Sequence, residues 1–355
     1  MKRLVPWFLE NAAALPWRAS DLHSFRDPYA VWISEIMLQQ TQVAAVREHY
    51  KRWMSVFPDI ATLAKAKEET VLKNWQGLGY YSRAKNILKT AQILAKEYGG
   101  KFPENRSEIE KLPGIGKYTA GAILSFAFHR PEAILDGNLI RVFSRFYLLD
   151  FLPEQSTQSE IYWNYAKQAA TGNDAFLINE ALMELGRGVC KVKNPDCSNC
   201  PLCKSCKAYI QSKVEHFPPK KERKYTAWHG VIAVLESADD MFFTSTGNSP
   251  FLKNQPTFPH FETADTIADG LPAEIDRIFN GIEISEFHFG KTFSHSITHH
   301  KITMRPLYLR TKLKAKAITK MLQKTHGESA NWISKEDALN LPSSLCQKAL
   351  LVTRN

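Results

Sequence analysis

Five of the six cysteines fall in one short stretch, CKVKNPDCSNCPLCKSC, which runs from Cys190 to Cys206. Cys190, Cys197, Cys200 and Cys206 are separated by six, two and five residues, and Cys203 stands inside the run as a fifth thiol. Disulfides are rare inside cells, so clustered cysteines there read as metal ligands. Paired zinc ribbons set two C-x-x-C knuckles well apart. A lone cysteine followed by a tight group instead suits four thiolates on a 4Fe-4S cluster. Zinc is the alternative, and Cys203 is either a replacement ligand or spare. Cys346, alone in an apolar stretch near the C-terminus, reads as a small core residue.

Two carboxylates and a pair of glycines could also do chemistry. In PYAVWISEIMLQQTQV, Glu35 sits among Val31, Trp32, Ile36 and Leu38 on an apolar helical surface. Burial there would disfavour the charged carboxylate and make it a proton donor near neutral pH, whereas exposure would leave an ordinary helix-face glutamate. Asp136 follows Ala133-Ile134-Leu135 and opens a helix from Asn138 to Tyr147, where an N-cap aspartate contributes about 1 kcal/mol. In LPGIGKYTAGAIL, Gly114 and Gly116 permit a tight turn before a helix whose free N–H groups suit a phosphate oxygen.

The elements that must position these groups change character along the chain. Up to about Tyr209, apolar residues recur at three- and four-residue intervals, as in VLKNWQGLGYYSRAKNILKTAQILAKEYGG, and predict helix after helix. Paired prolines and lysines in SKVEHFPPKKERKYTAW mark a junction over 212–228. Beyond it GVIAVLES, MFFTST and HKITMRPLYLR read as strands and AKAITKMLQKT as a helix. The expected organisation is therefore a mostly α domain over 1–211, a linker over 212–228 and a smaller α+β domain over 229–355. At 355 residues, two cores are the default. A net charge of +10 and a pI near 9.2 point to an anionic partner, nucleic acid before an acidic membrane surface. Glu10 and Asn11 interrupt what would be a signal-peptide core, and no apolar run is long enough to span a bilayer, so a cytoplasmic, nucleoid-associated protein is expected.

The cysteine spacing, the LPGIGKYTAGAIL string and AILDGNLIRVF together resemble the endonuclease III and adenine glycosylase branch of the helix-hairpin-helix DNA glycosylases. SEIMLQQTQV is similar to the signature of the adenine glycosylases almost letter for letter. The resemblance implies a helix-hairpin-helix glycosylase fold with a structural 4Fe-4S cluster over 190–206, near which Lys191, Lys193, Lys204 and Lys207 could meet phosphate. It makes Glu35 the acid that protonates the departing adenine and Asp136 the anion that stabilises the cationic sugar. At position 118 the strand-cleaving relatives carry an amine nucleophile. Tyr118 cannot form a Schiff base, so a monofunctional hydrolase leaving an abasic site is implied. Leu15, Trp17, Arg18 and Glu180 match residues lining the flipped-base pocket. Gln40, Thr41, Leu78 and Tyr80 match those that fill the vacated stack and touch the opposite base.

The implied substrate is adenine opposite 8-oxoguanine or guanine in double-stranded DNA, removed in base excision repair by a monomer that needs no membrane. The C-terminal domain resembles the Nudix fold without its glutamate-rich box. The family's Phe-Ser-His reader of 8-oxoguanine fits two registers here. Thr298 and His299 match the context better, while Ser294 lies in the literal Phe293-Ser294-His295. A pyrimidine-directed mismatch glycosylase of the same superfamily, or an iron–sulfur DNA damage-binding protein without catalysis, are the competing readings.

Overall fold

A computed structural model describes residues 3–219, 225–246, 252, 256–263, 273–279, 281–297, 299–341 and 343–353. Contacts divide the chain into two units, Met1–Lys221 and Glu222–Asn355. None of the described helices is long and apolar enough to cross a membrane.

Among its described residues the first unit holds helices joined by loops and no strand. In order it holds α1 (Leu4–Asn11), α2 (Pro28–Leu38), α3 (Val43–Val56), α4 (Ile60–Ala64), α5 (Glu68–Trp75) and α6 (Ser82–Glu97). There follow α7 (Arg106–Ile109), α8 (Lys117–Phe128), α9 (Gly137–Tyr147), α10 (Ser156–Ala169), α11 (Ala175–Gly188) and α12 (Lys207–Ile210). Helices α2 and α8 are buried almost all round, whereas α3, α5 and α6 bury one stripe, carrying residues such as Trp53, Trp75 and Leu94. That contrast places α2 and α8 at the centre of the unit. The hairpin before α8 forms as expected: Gly114 takes φ +77°, which a side chain would resist, and Gly116 is the N-cap. Arg106, on α7, bonds the Ala133 carbonyl at 3.2 Å and so ties the hairpin to the extended segment leading to Asp136.

The second unit is built on a mixed sheet of β1 (Thr226–Glu236), β2 (Phe242–Thr246), β3 (Pro256–Thr257), β4 (His260–Glu262), β5 (Glu286–Phe289), β6 (Phe293–Ile297), β7 (His300–Arg310) and β8 (Asn331–Ile333). Its helices are α13 (Ala273–Phe279), α14 (Ala315–His326), α15 (Lys335–Leu339) and α16 (Ser344–Val352). Strand β1 runs parallel to β7 along its full length, from Thr226 opposite His300 to Glu236 opposite Arg310. Period-two alternation sends Trp228, Ile232 and Val234 of β1 into a core with Leu345 and Leu350. Val231, Ala233 and Leu235 enter the opposite core with Ile275, Ile318 and Leu322. Helices therefore cover both faces of the sheet. The four C-terminal runs read from the sequence fall on β1, β2, β7 and α14, but β1 begins at Thr226, so the last three residues of the expected linker are strand. Cys346 is fully buried in this unit.

Candidate active site

Glu35 lies on α2 with only 5 % of its surface exposed, walled in by the apolar residues that the helix buries with it. Burial pushes its carboxyl up to about 7. Opposing that, the Tyr118 hydroxyl, from the first turn of α8, donates to Glu35 Oε2 at 2.6 Å, and the charge of Arg26 also favours the carboxylate. The nearby Asp136 adds to the upward shift. Lys117, one position from Tyr118, is exposed and borders a different cavity, as the 100° step of a helix requires.

Asp136 is the N-cap of α9. Its Oδ1 accepts from the Leu139 amide at 2.8 Å, and its Oδ2 from Asn138 Nδ2 at 2.8 Å. The Asn138 amide cannot turn round, because its Oδ1 accepts from Arg141 Nη2 at 2.8 Å. Helix α11 approaches closely here: a Cβ on Gly186 would meet the Asn138 Cβ at 2.6 Å. The end of α9 favours an ionised Asp136, yet burial is the larger influence and moves its carboxyl upward, with the Leu139 and Asn138 donors pulling it back. The two acids are thus unequal. Asp136 is held by N–H donors that favour the anion, and Glu35 faces a phenol in an apolar wall.

Both acids line one cavity of about 480 Å³, and Tyr118 lines it with them. Leu15, Trp17, Arg18 and Glu180 line the same cavity, as do Gln40 and Thr41. Glu180 and Glu184 of α11 are each 4 % exposed, and arginines offset their charge. Arg18 reaches Glu180 at 3.1 Å and Glu184 at 3.2 Å, while Arg26 pairs with Glu180 and Arg187 with Glu184. Breaking such a buried pair typically costs about 3–5 kcal/mol. Sequence reasoning missed Arg26, Glu184 and Arg187. The spacing Glu180, Glu184, Arg187 marks one helix face and was a usable signal, but Arg26 sits in a loop with no periodicity to reveal it.

Leu78 and Tyr80 do not border this cavity. Leu78 is buried in the helical core at 6 % exposure, whereas Tyr80 is 57 % exposed on a left-handed backbone with φ 47°.

The sequence pattern of the HhH-GPD superfamily base excision DNA repair proteins matches residues 33–166, a span that includes Glu35, Tyr118 and Asp136. The adenine DNA glycosylase of Buchnera aphidicola subsp. Baizongia pistaciae is 35% identical over 300 residues, covering 83% of this chain and 81% of that one. The chain belongs to the adenine DNA glycosylase family. The adenine DNA glycosylase of Mus musculus is 41% identical over 210 residues, 58% of this chain and 41% of that one. Among solved structures, a thermostable thymine-DNA glycosylase aligns with a TM-score of 0.52 at 27% identity, covering 59% of this chain and 94% of that one. As a member of this family, the chain is a DNA glycosylase.

In this adenine glycosylase family member, the cysteines at 190, 197, 200, 203 and 206 line one small cavity between α9 and α12. Asp196 shares that rim, but its carboxylate is bound by Ser198 at 3.0 Å and Asn199 at 2.9 Å. Burial pushes the Cys200 thiol up to about 12, and the charges of Cys190, Cys206 and Cys197 push the same way. Helix α9, which Asp136 caps, grips the loop from behind. Arg141 bonds the Cys190 carbonyl at 2.7 Å, and Arg145 bonds the Lys191 carbonyl at 2.7 Å and Cys190 Sγ at 3.3 Å. Among the described residues no group of three or more His, Cys, Asp or Glu side chains meets the geometry of a metal-ion site. Lys191, Lys193, Lys204 and Lys207 are all exposed.

In the second unit the β6–β7 hairpin carries both candidate registers. Ser294 is an exposed residue within β6, paired with Thr303. His299 is exposed at the turn, its ring 4.1 Å from that of His300, and Thr298 lies outside the described residues.

Proposed function

We propose that the protein is a monofunctional glycosylase that hydrolyses the N-glycosidic bond of adenine mispaired with 8-oxoguanine or guanine in duplex DNA. The observation that carries this reading is the placement of Glu35 and Asp136 on one cavity, roomy enough for an extruded nucleotide, in inequivalent surroundings. An extruded adenine enters this space, and the Arg18–Glu180 pair offers fixed polar groups to its edge. Because the Tyr118 hydroxyl occupies Glu35 Oε2, the acidic proton resides on Oε1 and passes from there to a ring nitrogen of the base. The bond from the sugar to the base then breaks with its electron pair leaving on the purine. Asp136 stabilises the sugar cation until water adds, and the products are free adenine and an abasic site. Tyr118 offers no amine, so no Schiff base forms and the strand stays intact.

A 4Fe-4S cluster belongs to this reading. Five thiols line one small cavity, and the spacing of Cys190, Cys197, Cys200 and Cys206 suits four thiolates on such a cluster, with zinc as the alternative. Cys190, Cys197, Cys200 and Cys206 would hold it, with Cys203 spare. When bound, the cluster supplies cross-linking of the loop rather than any step of base release. Purified protein is expected to be brown and to carry about four irons per chain, whereas a colourless zinc-loaded sample would remove the cluster.

Thr298 and the exposed His299, or alternatively the exposed Ser294 of β6, are the proposed readers of the opposite base. Base release from duplexes carrying A:8-oxoguanine, A:G and T:G tests the whole reading. Adenine should leave the first two and thymine should stay. The likeness to a thymine-DNA glycosylase makes thymine release the second outcome to look for, and release of thymine alone would replace adenine as the substrate.

A further inference from the structure

Arg83, in the first turn of α6, is placed where a cation opposes the helix dipole, so some other interaction must hold it there. Its guanidinium is spent on backbone carbonyls from two separate turns. Nη1 donates to the Ile36 carbonyl at 2.8 Å, to Met37 at 3.3 Å and to Gln39 at 2.7 Å, satisfying the carbonyl end of the helix that bears Glu35. Nη2 donates to the Leu78 carbonyl at 2.8 Å, to Gly79 at 3.2 Å and to Thr41 Oγ1 at 3.4 Å. The same group lies 5.1 Å from the Trp75 ring centre and 5.6 Å from that of Tyr80. Each turn carries a non-glycine residue in the left-handed region, Gln40 at φ 55° and Tyr80 at φ 47°, a conformation costing about 1–2 kcal/mol that the surroundings must enforce.

We propose that Arg83 is a positioning residue that locks turns 39–41 and 78–80 into one rigid wedge, on which extrusion of the target base depends directly and release of the base only through extrusion. This rests on the glycosylase reading, in which Gln40, Thr41 and Tyr80 meet the DNA stack. Arg83 touches neither carboxylate, and it acts only by fixing what the two turns present. A planar fork of five donors can bridge both turns, whereas a lysine offers three donors from one point.

The test compares Arg83→Met and Arg83→Lys. Extrusion is read from the fluorescence gain of 2-aminopurine at the target position, in a Glu35→Gln background where no base is released. Hydrolysis is read as single-turnover adenine release in the Glu35 protein. Arg83→Met should lose the fluorescence gain and slow release by about a hundredfold, with Arg83→Lys in between. A full fluorescence gain in Arg83→Met, whether release falls or not, overturns the inference. If Arg83→Met fails to fold by circular dichroism, an unchanged gain in Arg83→Lys overturns it instead. Absence of adenine release from the unmutated protein would sink the glycosylase reading itself, an outcome distinct from either of these.

Discussion

Glu35→Gln is expected to slow single-turnover adenine release by about a thousandfold or more, within the reach of a lost general acid, while DNA is still bound. Glutamine keeps the shape and the contact with Tyr118 but has no proton to give. The pH dependence follows from the same carboxyl. It acts when protonated and titrates near 7, so release by the unmutated protein should fall as pH rises through about 7. Stability carries the same sign. A folded-state value raised from 4.5 to about 7 means that the stability linked to Glu35 is fully present below about 4.5. It is lost as pH climbs through 7, a difference on the order of 3 kcal/mol. The glutamine variant should therefore melt no lower than the unmutated protein at pH 8. Retention of release within about tenfold, or a flat profile between pH 6 and 8, would remove Glu35 from this role.

Asp136→Asn should slow release by about a hundred- to a thousandfold, the usual loss when a preorganised charge opposite a developing cation is removed. Asparagine is as good an N-cap as aspartate, so the Leu139 amide keeps its acceptor and the fold should survive. The damage is local. Asn138 presents Nδ2 to position 136 because Arg141 fixes its other side, and an asparagine there must oppose donor to donor or turn away. Circular dichroism and base release, measured on one preparation, separate the two effects. A large loss of helix content alongside lost release would assign Asp136 to capping alone.

The helical and strand texture was legible because its cause is periodic. The run HKITMRPLYLR became β7 with the same bounds, and AKAITKMLQKT became α14 with one residue added. Glu35 was legible for a related reason, since an acid among Trp32, Ile36 and Val31 on a helix has nowhere to go but inward. Contacts between loops and distant helices were not legible. Arg26 reaches Glu180 from a segment without repeat, and Arg83 looks from sequence like any cation on the outer face of α6. Leu78 is a different case. Motif matching assigned it to the DNA stack, and its side chain is packed in the core of the helical unit. The capping position of Asp136 was read correctly, but the balance between helix end and desolvation is decided by the depth of the cavity, which no local string encodes.

The parallel pairing of β1 with β7 over their whole length leaves the sheet no freedom to slip by one residue, since that would exchange the side chains that β1 sends into its two cores. The short turn joining β6 to β7 hangs from this immovable frame. The exposed His299 beside it can consequently change without loosening the architecture that carries it, so a variant at the proposed reader would leave the fold of the helical unit intact.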